Sequence, residues 1–418
     1  MSDTVYTYVE LAGATHFVGR LWTHARRGRE AATFEYDRDW LTSSCRFALE
    51  PALALGAGQF HTSADRSMFG ALGDSAPDRW GRALMRRAER QRARTAGTQP
   101  RALREIDYLL RVDDEARQGA LRFAREKDGP FLAAHDTSRI PPMIALPRLL
   151  SAVEHVAAEA ETEEDLRLLL APGSSLGGAR PKASVRDRDA HLLIAKFPHT
   201  DDEINTVAWE GIALSLAKKA GISVPDWRIE RVADKPVLLL RRFDRAGGAR
   251  IPFLSAMSMI GAQENETRSY LELVDALRSH GATPMADIHE LWRRIVFTVL
   301  ISNTDDHMRN HGFLYAGSDG WVLSPAYDLN PVPTDIRPRI LATAIDLDDQ
   351  TASIENAFAV AEYFEISPGE ARRIAASVAE AVSGWRDEAR RFGLSRNEIE
   401  RMGSAFEHRD LATALNGT

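Results

Sequence analysis

The sequence predicts an α+β fold in three parts: an amino-terminal sheet-and-helix domain, a small sheet-containing lobe, and a mainly helical carboxy-terminal lobe. Three observations predict it. Residues 4–40 alternate apolar and polar with the period of a strand, in TYVELAG, HFVGRLWTHA and EAATFEYDRDWL. Residues 171–245 read as a second group of strands with one helix in their middle, NTVAWEGIALSLAKKAG. From about residue 255 the apolar spacing is helical, interrupted by a short hairpin near 311–327. The expected domain boundaries are 1–140, 141–245 and 246–418.

The elements follow in chain order. Gly13 and the turn RRGRE separate the strands of a small antiparallel sheet. In FGALGDSAPDRWGRALMRRAERQRAR, Asp74 or Ser75 is placed to cap a helix and Pro77 fits its first turn. The chain to about residue 126 then reads as mostly helical. Residues 126–143 hold Gly129, Pro130, Pro141 and Pro142 with little periodicity, which marks a domain boundary. Residues 145–170 are helical again, and HLLIAKFP (191–198) is an apolar strand with Lys196 near its end. The late hairpin pairs GFLY with WVLSPAY across AGSDG.

Composition narrows the function classes. Of 418 residues, 44% are hydrophobic and 27% charged, as in ordinary globular chains. A net charge of −7 excludes a protein that is basic overall and coats nucleic acid. Cys45 is the one cysteine, which excludes an internal disulfide framework and a cysteine zinc cluster and suits a reducing compartment. The start, MSDTVYTYVELAG, has no basic stretch followed by an apolar one, and no apolar run approaches the ~20 residues of a membrane span. No membrane association is expected, and the expected location is cytoplasmic. Residues 79–104 carry nine arginines against Asp78 and Glu89. That helix reads as a solvated charged face, or as a surface in minor or indirect contact with DNA phosphate.

Chemistry concentrates in two stretches. APGSSLGGARPKASV (171–185) is a glycine- and serine-rich loop able to approach phosphates, although its spacing fits neither a Walker A loop nor a dinucleotide fingerprint. Downstream lie Lys196 on its strand and, fourteen residues on, Glu210 on the apolar stripe of a helix with Val207, Leu214 and Ala217. A glutamate there needs a cation, and Lys196 is available. A strand lysine paired with a helix glutamate after a glycine loop is the nucleotide-positioning set of protein kinases. The second stretch, SNTDDHMRNHGFLY (302–315), follows the apolar run IVFTVLI. Asp305 lies five residues before Asn310, the spacing of a kinase base and its Mg²⁺-binding asparagine, and Asp328 follows the hairpin as the second metal ligand. His307 reads as a structural or phosphate-side residue, or as a bystander, and Asp306 as a turn cap.

SSLGGARPK (174–182), NTDDHMRNHGF (303–313) and AYDLNP (326–331) resemble the HipA family of serine/threonine protein kinase toxins. FGALGDSAPDRWGRAL (69–84), RRFDR (241–245) and tail segments including SGWRDEARRFGLS are also similar to that family. The resemblance implies a two-lobed protein-kinase-like fold with an added amino-terminal α+β domain. It implies ATP and Mg²⁺ as cofactors and a protein substrate, such as an aminoacyl-tRNA synthetase. It implies a small DNA-binding HipB-like antitoxin as partner. It implies autophosphorylation in the glycine-rich loop, at Ser175 with Ser174 adjacent. Gly177, Gly178, Ala179 and Lys182 would belong to the nucleotide site, backbone near Arg241 and Phe243 would meet adenine, and Asp244 would lie near the ribose. The metal aspartate is followed by Leu329 and Asn330 rather than Phe-Gly, and no A-P-E segment follows. Two other readings stand beside this one: a small-molecule phosphotransferase of the aminoglycoside kind, and a catalytically silent, antitoxin-bound co-repressor.

Overall fold

The computed structural model describes residues 3–26, 28–133, 140–170, 178–317 and 320–416. The chain forms two compact units, Met1–Asp201 with Glu230–Gly261, and Asp202–Ile229 with Ala262–Thr418.

Unit one contains a five-stranded sheet ordered β4-β3-β2-β1-β5, antiparallel throughout. Its strands are β1 (Asp3–Leu11), β2 (Ala14–Arg26), β3 (Arg29–Tyr36), β4 (Gln59–His61) and β5 (Leu121–Ala124). The first three are those the alternation predicts. The β1–β2 loop is two residues long, with Ala12 and Gly13 both at positive φ, the twist a tight hairpin requires. β5 differs from the expectation of helix up to residue 126. Leu121 and Phe123 are buried there and pairing with Tyr6–Val9 decides the conformation, so tertiary context overrides local pattern.

The long helix α1 (Arg79–Thr95) starts later than the sequence suggests. Gly70–Asp74 forms a short helix of its own, and the cap of α1 is Asp78, whose Oδ1 accepts the Gly81 N–H at 2.8 Å. Its arginines are largely paired within the chain. Arg82 forks onto Glu105 at the start of α2 (Glu105–Arg111) at 2.6 and 2.7 Å, Arg87 meets Glu161 at 2.8 Å, and Arg92 meets Glu89 at 2.7 Å. The helix is therefore an ion-paired charged face.

A second sheet follows α3 (Leu146–Ala157) and α4 (Glu163–Leu170). It is ordered β6-β7-β9-β8, from β6 (Lys182–Arg186), β7 (Leu192–Lys196), β8 (Trp227–Val232) and β9 (Lys235–Arg241). One apolar core joins this sheet to the amino-terminal helices. Trp80 and Leu84 of α1 pack with Leu149, Val153, Leu166, Ala183, Val185, Leu193 and Leu239. A shared core of this kind makes α1, α3, α4 and the second sheet one packed layer.

Unit two is mostly helical. In α5 (Thr206–Lys219) nearly every residue from Val207 to Ala217 is buried, Glu210 included, so it is a core helix rather than a surface one. Trp209 stands against Trp385 and Phe406, and those two rings stack at 4.6 Å. Around α6 (Tyr270–His280) and α7 (Pro284–Leu300) the core is tight, and Ile288, Leu291, Trp292, Ile295 and Val296 are fully buried. The expected hairpin is present as β10 (Gly312–Tyr315) and β11 (Trp321–Leu323), with Phe313 opposite Leu323. No helix among the described residues is long and apolar enough to cross a membrane.

One buried carboxyl in unit one sets a pH dependence. Glu50 is 2% exposed and accepts the Ala71 N–H. Gly70 beside it tolerates no side chain, since a Cβ would meet Ser258 Cβ and Oγ at 2.7 Å and Glu50 Oε2 at 2.8 Å. Burial, with Asp74 nearby, pushes the Glu50 carboxyl up to about 7 against the pull of the Ala71 amide and Arg66. A raised folded value means that the stability contribution is complete below the unfolded value, roughly 4.3, and is lost as the pH rises through about 7. Glu50→Gln should flatten the decline in urea-unfolding stability across that window, a change of roughly 3 kcal/mol at most.

Candidate active site

The polar stretch predicted to be a site begins where α7 ends. Ser302 adopts a left-handed φ of 52° and is fully buried, with its hydroxyl on the Ala405 carbonyl at 2.8 Å. This reversal turns the chain from the core helix into a loop. Asn303 is also fully buried, and its Oδ1 accepts the Asn330 N–H at 3.3 Å. The two aspartates that follow face opposite ways. Asp305 is exposed, with Arg337 Nη1 3.0 Å from its Oδ1. Asp306 is 4% exposed, and its Oδ2 is met by the Tyr270 hydroxyl at 2.5 Å, the Thr298 hydroxyl at 3.3 Å and His311 Nε2 at 3.2 Å. Asp306 is therefore not the turn cap that its loop position suggests: its side chain ties the loop to α6 and α7. Burial alone would raise its carboxyl, but His311, Tyr270 and His307 outweigh burial and hold it below the ordinary carboxylate range.

The rest of the loop forms around Asp305. The His307 N–H bonds the Asp305 carbonyl at 2.9 Å, and the Asn310 N–H bonds the His307 carbonyl at 2.8 Å. Asn310 Nδ2 donates to the Asp305 carbonyl at 3.1 Å. That bond fixes which end of the carboxamide is which and leaves Oδ1 without a protein donor among the described residues. His307 is half-buried, and its Nδ1 also has no hydrogen-bond partner among the described residues. Asp328 lies on a segment fastened to both ends of this loop. Tyr327 donates to the Arg309 carbonyl at 2.7 Å, and Val332 N–H bonds the Ser302 carbonyl at 3.2 Å. Asp328 itself is held at a φ of 55°, a left-handed conformation uncommon outside glycine and costing about 1–2 kcal/mol. Unit two thus brings Asp305, Asn310 and Asp328 into one loop cluster. The carboxamide oxygen of Asn310 and the carboxylate of Asp328 are the oxygen donors that would suit a hard cation such as Mg²⁺.

Unit one carries the remaining predicted residues. Lys182 and Lys196 stand opposite each other on β6 and β7, so their side chains share a face of the sheet. Lys196 is half-buried, whereas the Lys182 ammonium is buried 3.0 Å from Asp78 Oδ2. Gly178 and Ala179 precede β6, while Ser174, Ser175 and Gly177 lie outside the described residues. Arg241 ends β9 and is exposed, and Phe243 packs near Phe253 with ring centres 6.3 Å apart. Glu210 is 4% exposed within α5 of unit two.

Asp244 is placed differently from the ribose contact expected of it. It is 3% exposed and takes bonds from Arg242 Nε at 2.8 Å, Arg245 Nη1 at 2.9 Å and the Gly119 N–H at 2.8 Å. Burial opposes its charge, but Arg242 and Arg245 hold the carboxyl far below the usual range. Arg242 also reaches the Arg117 carbonyl at 3.0 Å, and fully buried Arg117 bonds the carbonyls of Ser75, Leu109 and Val112. This carboxylate is consumed in binding the chain after β9 to the amino-terminal part of unit one.

Sequence reasoning missed Tyr270, Thr298 and His311 as partners of Asp306, Arg337 as the partner of Asp305, and Asp78 as the partner of Lys182. One signal was available for the first group. Of two adjacent aspartates at the end of a core helix, one must face inward and needs donors, and His311 is five residues on.

Fold and site together define an α+β protein with a kinase-like fold. The chain belongs to the HipA family: the HipA-like C-terminal domain matches residues 174–385, just over half of it, and the HipA N-terminal domain matches residues 10–106. Among relatives, a Haemophilus influenzae protein named as an inferred kinase is 25% identical over 197 residues, covering 41% of this chain and 57% of that protein. The chain thus spans little over half the length of that relative. An inferred kinase of Sinorhizobium fredii, Y4mE, is 25% identical over 323 residues, 71% of each chain. The fold matches HipA of Shewanella oneidensis, solved with HipB and operator DNA, at a TM-score of 0.67 and 16% identity over 99% of this chain and 96% of that one.

A depressed folded value for Asp306 means that its stability contribution is complete above the unfolded value, roughly 3.9, and is lost as the pH falls through the folded value. Asp306→Asn should lose about 1–3 kcal/mol at pH 7, since two hydroxyls and an imidazole lose a charged acceptor. Its unfolding stability should then vary less with acidification below about pH 4 than that of the parent.

Proposed function

We propose that the chain is an ATP- and Mg²⁺-dependent serine/threonine protein kinase, the toxin half of a toxin–antitoxin pair. The observation that carries this reading is the loop in which Asp305 presents an exposed carboxylate while its own carbonyl fixes the Asn310 carboxamide, with Asp328 fastened alongside. Mg²⁺, when bound by Asn310 Oδ1 and Asp328, supplies neutralisation of phosphate charge. Lys196 holds ATP phosphates, and His307, whose Nδ1 has no hydrogen-bond partner among the described residues, offers a further polar group beside Asp305 and Asn310. Asp305 accepts the proton of the target hydroxyl. The hydroxyl oxygen forms a bond to the γ-phosphorus as the bond to the β-bridging oxygen breaks and ADP leaves. The Arg337 contact on Asp305 is solvent-exposed on both sides, so it is weak and yields to a substrate.

The finer parts of the proposal rest on the resemblance. The partner is a HipB-like DNA-binding antitoxin, a reading supported by the matching Shewanella HipA, which was solved with HipB and operator DNA. The substrate is a translation-related protein such as an aminoacyl-tRNA synthetase. Ser175, with Ser174 adjacent, is the autophosphorylation site, where a phosphate dianion would repel those of ATP. The location is cytoplasmic.

Incubation of the full chain with labelled ATP and Mg²⁺, followed by mass-spectrometric mapping, should place phosphate on Ser175 or Ser174. Transfer to aminoglycosides with no protein labelled would instead favour the small-molecule reading. Asp305→Asn should lower kcat by about 10²–10⁴-fold and leave the ATP dissociation constant within about threefold. Full turnover by that variant would remove Asp305 from the role of base.

A further inference from the structure

The segment Pro77–Trp80 touches Lys182 in two ways. Asp78 Oδ2 lies 3.0 Å from the Lys182 ammonium, and each side chain is only 3% exposed. Trp80 Nε1 donates to the Lys182 carbonyl at 3.1 Å. Asp78 is itself immobilised. Its Oδ1 caps α1 through the Gly81 N–H at 2.8 Å, and the positive end of that helix favours its charge. Trp80 is fixed in the apolar core it shares with Ala183, Val185 and Ala195. Both the main chain and the side chain of Lys182 are thus held from the amino-terminal part of unit one.

A buried ion pair is a poor device for stability alone, because a well-packed apolar pair of the same volume does as well or better. It is a good device for selecting one rotamer of a long, flexible lysine. The register makes that selection consequential. Lys182 and Lys196 are directly opposite on one face of the sheet, where like charges repel unless anions lie beside them. Asp78 compensates the charge of one ammonium from the α1 side, and a lysine ammonium carries three donors with which to meet an anion.

We propose that Asp78 and Trp80 are positioning residues of the nucleotide site, fixing Lys182 beside Lys196 as a second phosphate-binding ammonium. This rests on the kinase reading above and assigns a role to the SAPDRW part of the motif, which that reading leaves unused.

The test uses the full chain, with ATP–Mg²⁺ binding measured calorimetrically beside KM for ATP, kcat and thermal unfolding without nucleotide. Asp78→Asn keeps a capping oxygen and removes the charge. It should weaken ATP binding by about tenfold or more and raise KM more than it lowers kcat. In a Lys182→Met background the same change should alter affinity by less than about twofold, because the group it positions is gone. Trp80→Phe keeps the ring and removes the donor; it should weaken binding about two- to fivefold, again only when Lys182 is present. That variant decides the matter should Asp78→Asn not fold. Unchanged affinity in both variants, or equal losses with and without Lys182, overturns the proposal while the kinase reading stands. A parent protein that binds no nucleotide overturns both.

Discussion

The geometry of the candidate site depends on one buried carboxylate. Asp306 sits at the end of a core helix, with Tyr270, Thr298 and His311 converging on a single oxygen. A carboxylate in that position is expensive unless donors satisfy it, and once they do the loop has one position rather than many. The Thr343 hydroxyl adds a bond to the Asp306 carbonyl at 2.7 Å, so side chain and main chain are fixed together. The neighbouring residue, Asp305, inherits that fixed position while pointing the other way. An exposed carboxylate on a rigid base is what proton acceptance from a docking hydroxyl requires, because a mobile one would spend most of its time elsewhere.

Unit one solves a related problem with a larger set of charges. Asp244, Arg242 and Arg117 are buried, and Arg245 partly so, where the chain leaves the second sheet and meets the segment 113–119. Arg250 and Arg122 extend the set to Asp114 and Glu10. Such a lattice contributes little net stability per ion pair but penalises any arrangement in which one partner is missing. Its effect is to tie the amino-terminal sheet, through Glu10 and Arg122, to the chain that leaves the second sheet. The amino-terminal part is therefore integral to the lobe it precedes.

Much of this was legible in the sequence, for identifiable reasons. The strands β1–β3, the helix around Glu210 and the β10–β11 hairpin were carried by hydrophobic period and turn residues, which act locally. The spacing of Asp305 to Asn310 was legible because a short loop fixes their relation through its own backbone, as the Asn310 bond to the Asp305 carbonyl shows. What was not legible depends on pairing across long separations. β5 exists because β1 offers it an edge, the α1 cap moved to Asp78 because Gly70–Asp74 closed its own turn, and Asp244 faces inward because Gly119, 125 residues away, donates to it. RRFDR read alone gives a charged strand end with an aspartate free for a ligand. Only the fold shows that the arginines on either side of it claim that aspartate.

The adjacent pair Asp305 and Asp306 shows why residue type alone does not assign a role. Both are aspartates in one loop, and neither composition nor spacing to a generic metal ligand distinguishes them. Burial does. With three donors already on it, the Asp306 carboxylate has no route to a substrate hydroxyl, and protonating it would leave those donors without their acceptor. Among the described residues the Asp305 carboxylate meets Arg337 alone, through a contact exposed on both sides, and can exchange that partner for another without disturbing the core. The division of labour follows from the reversal at Ser302 and the main-chain bonds after it, which leave two consecutive side chains on opposite sides of the loop. The chemistry proposed for Asp305 is therefore inseparable from the burial of its neighbour: the residue that cannot react is the one that holds the reactive one still.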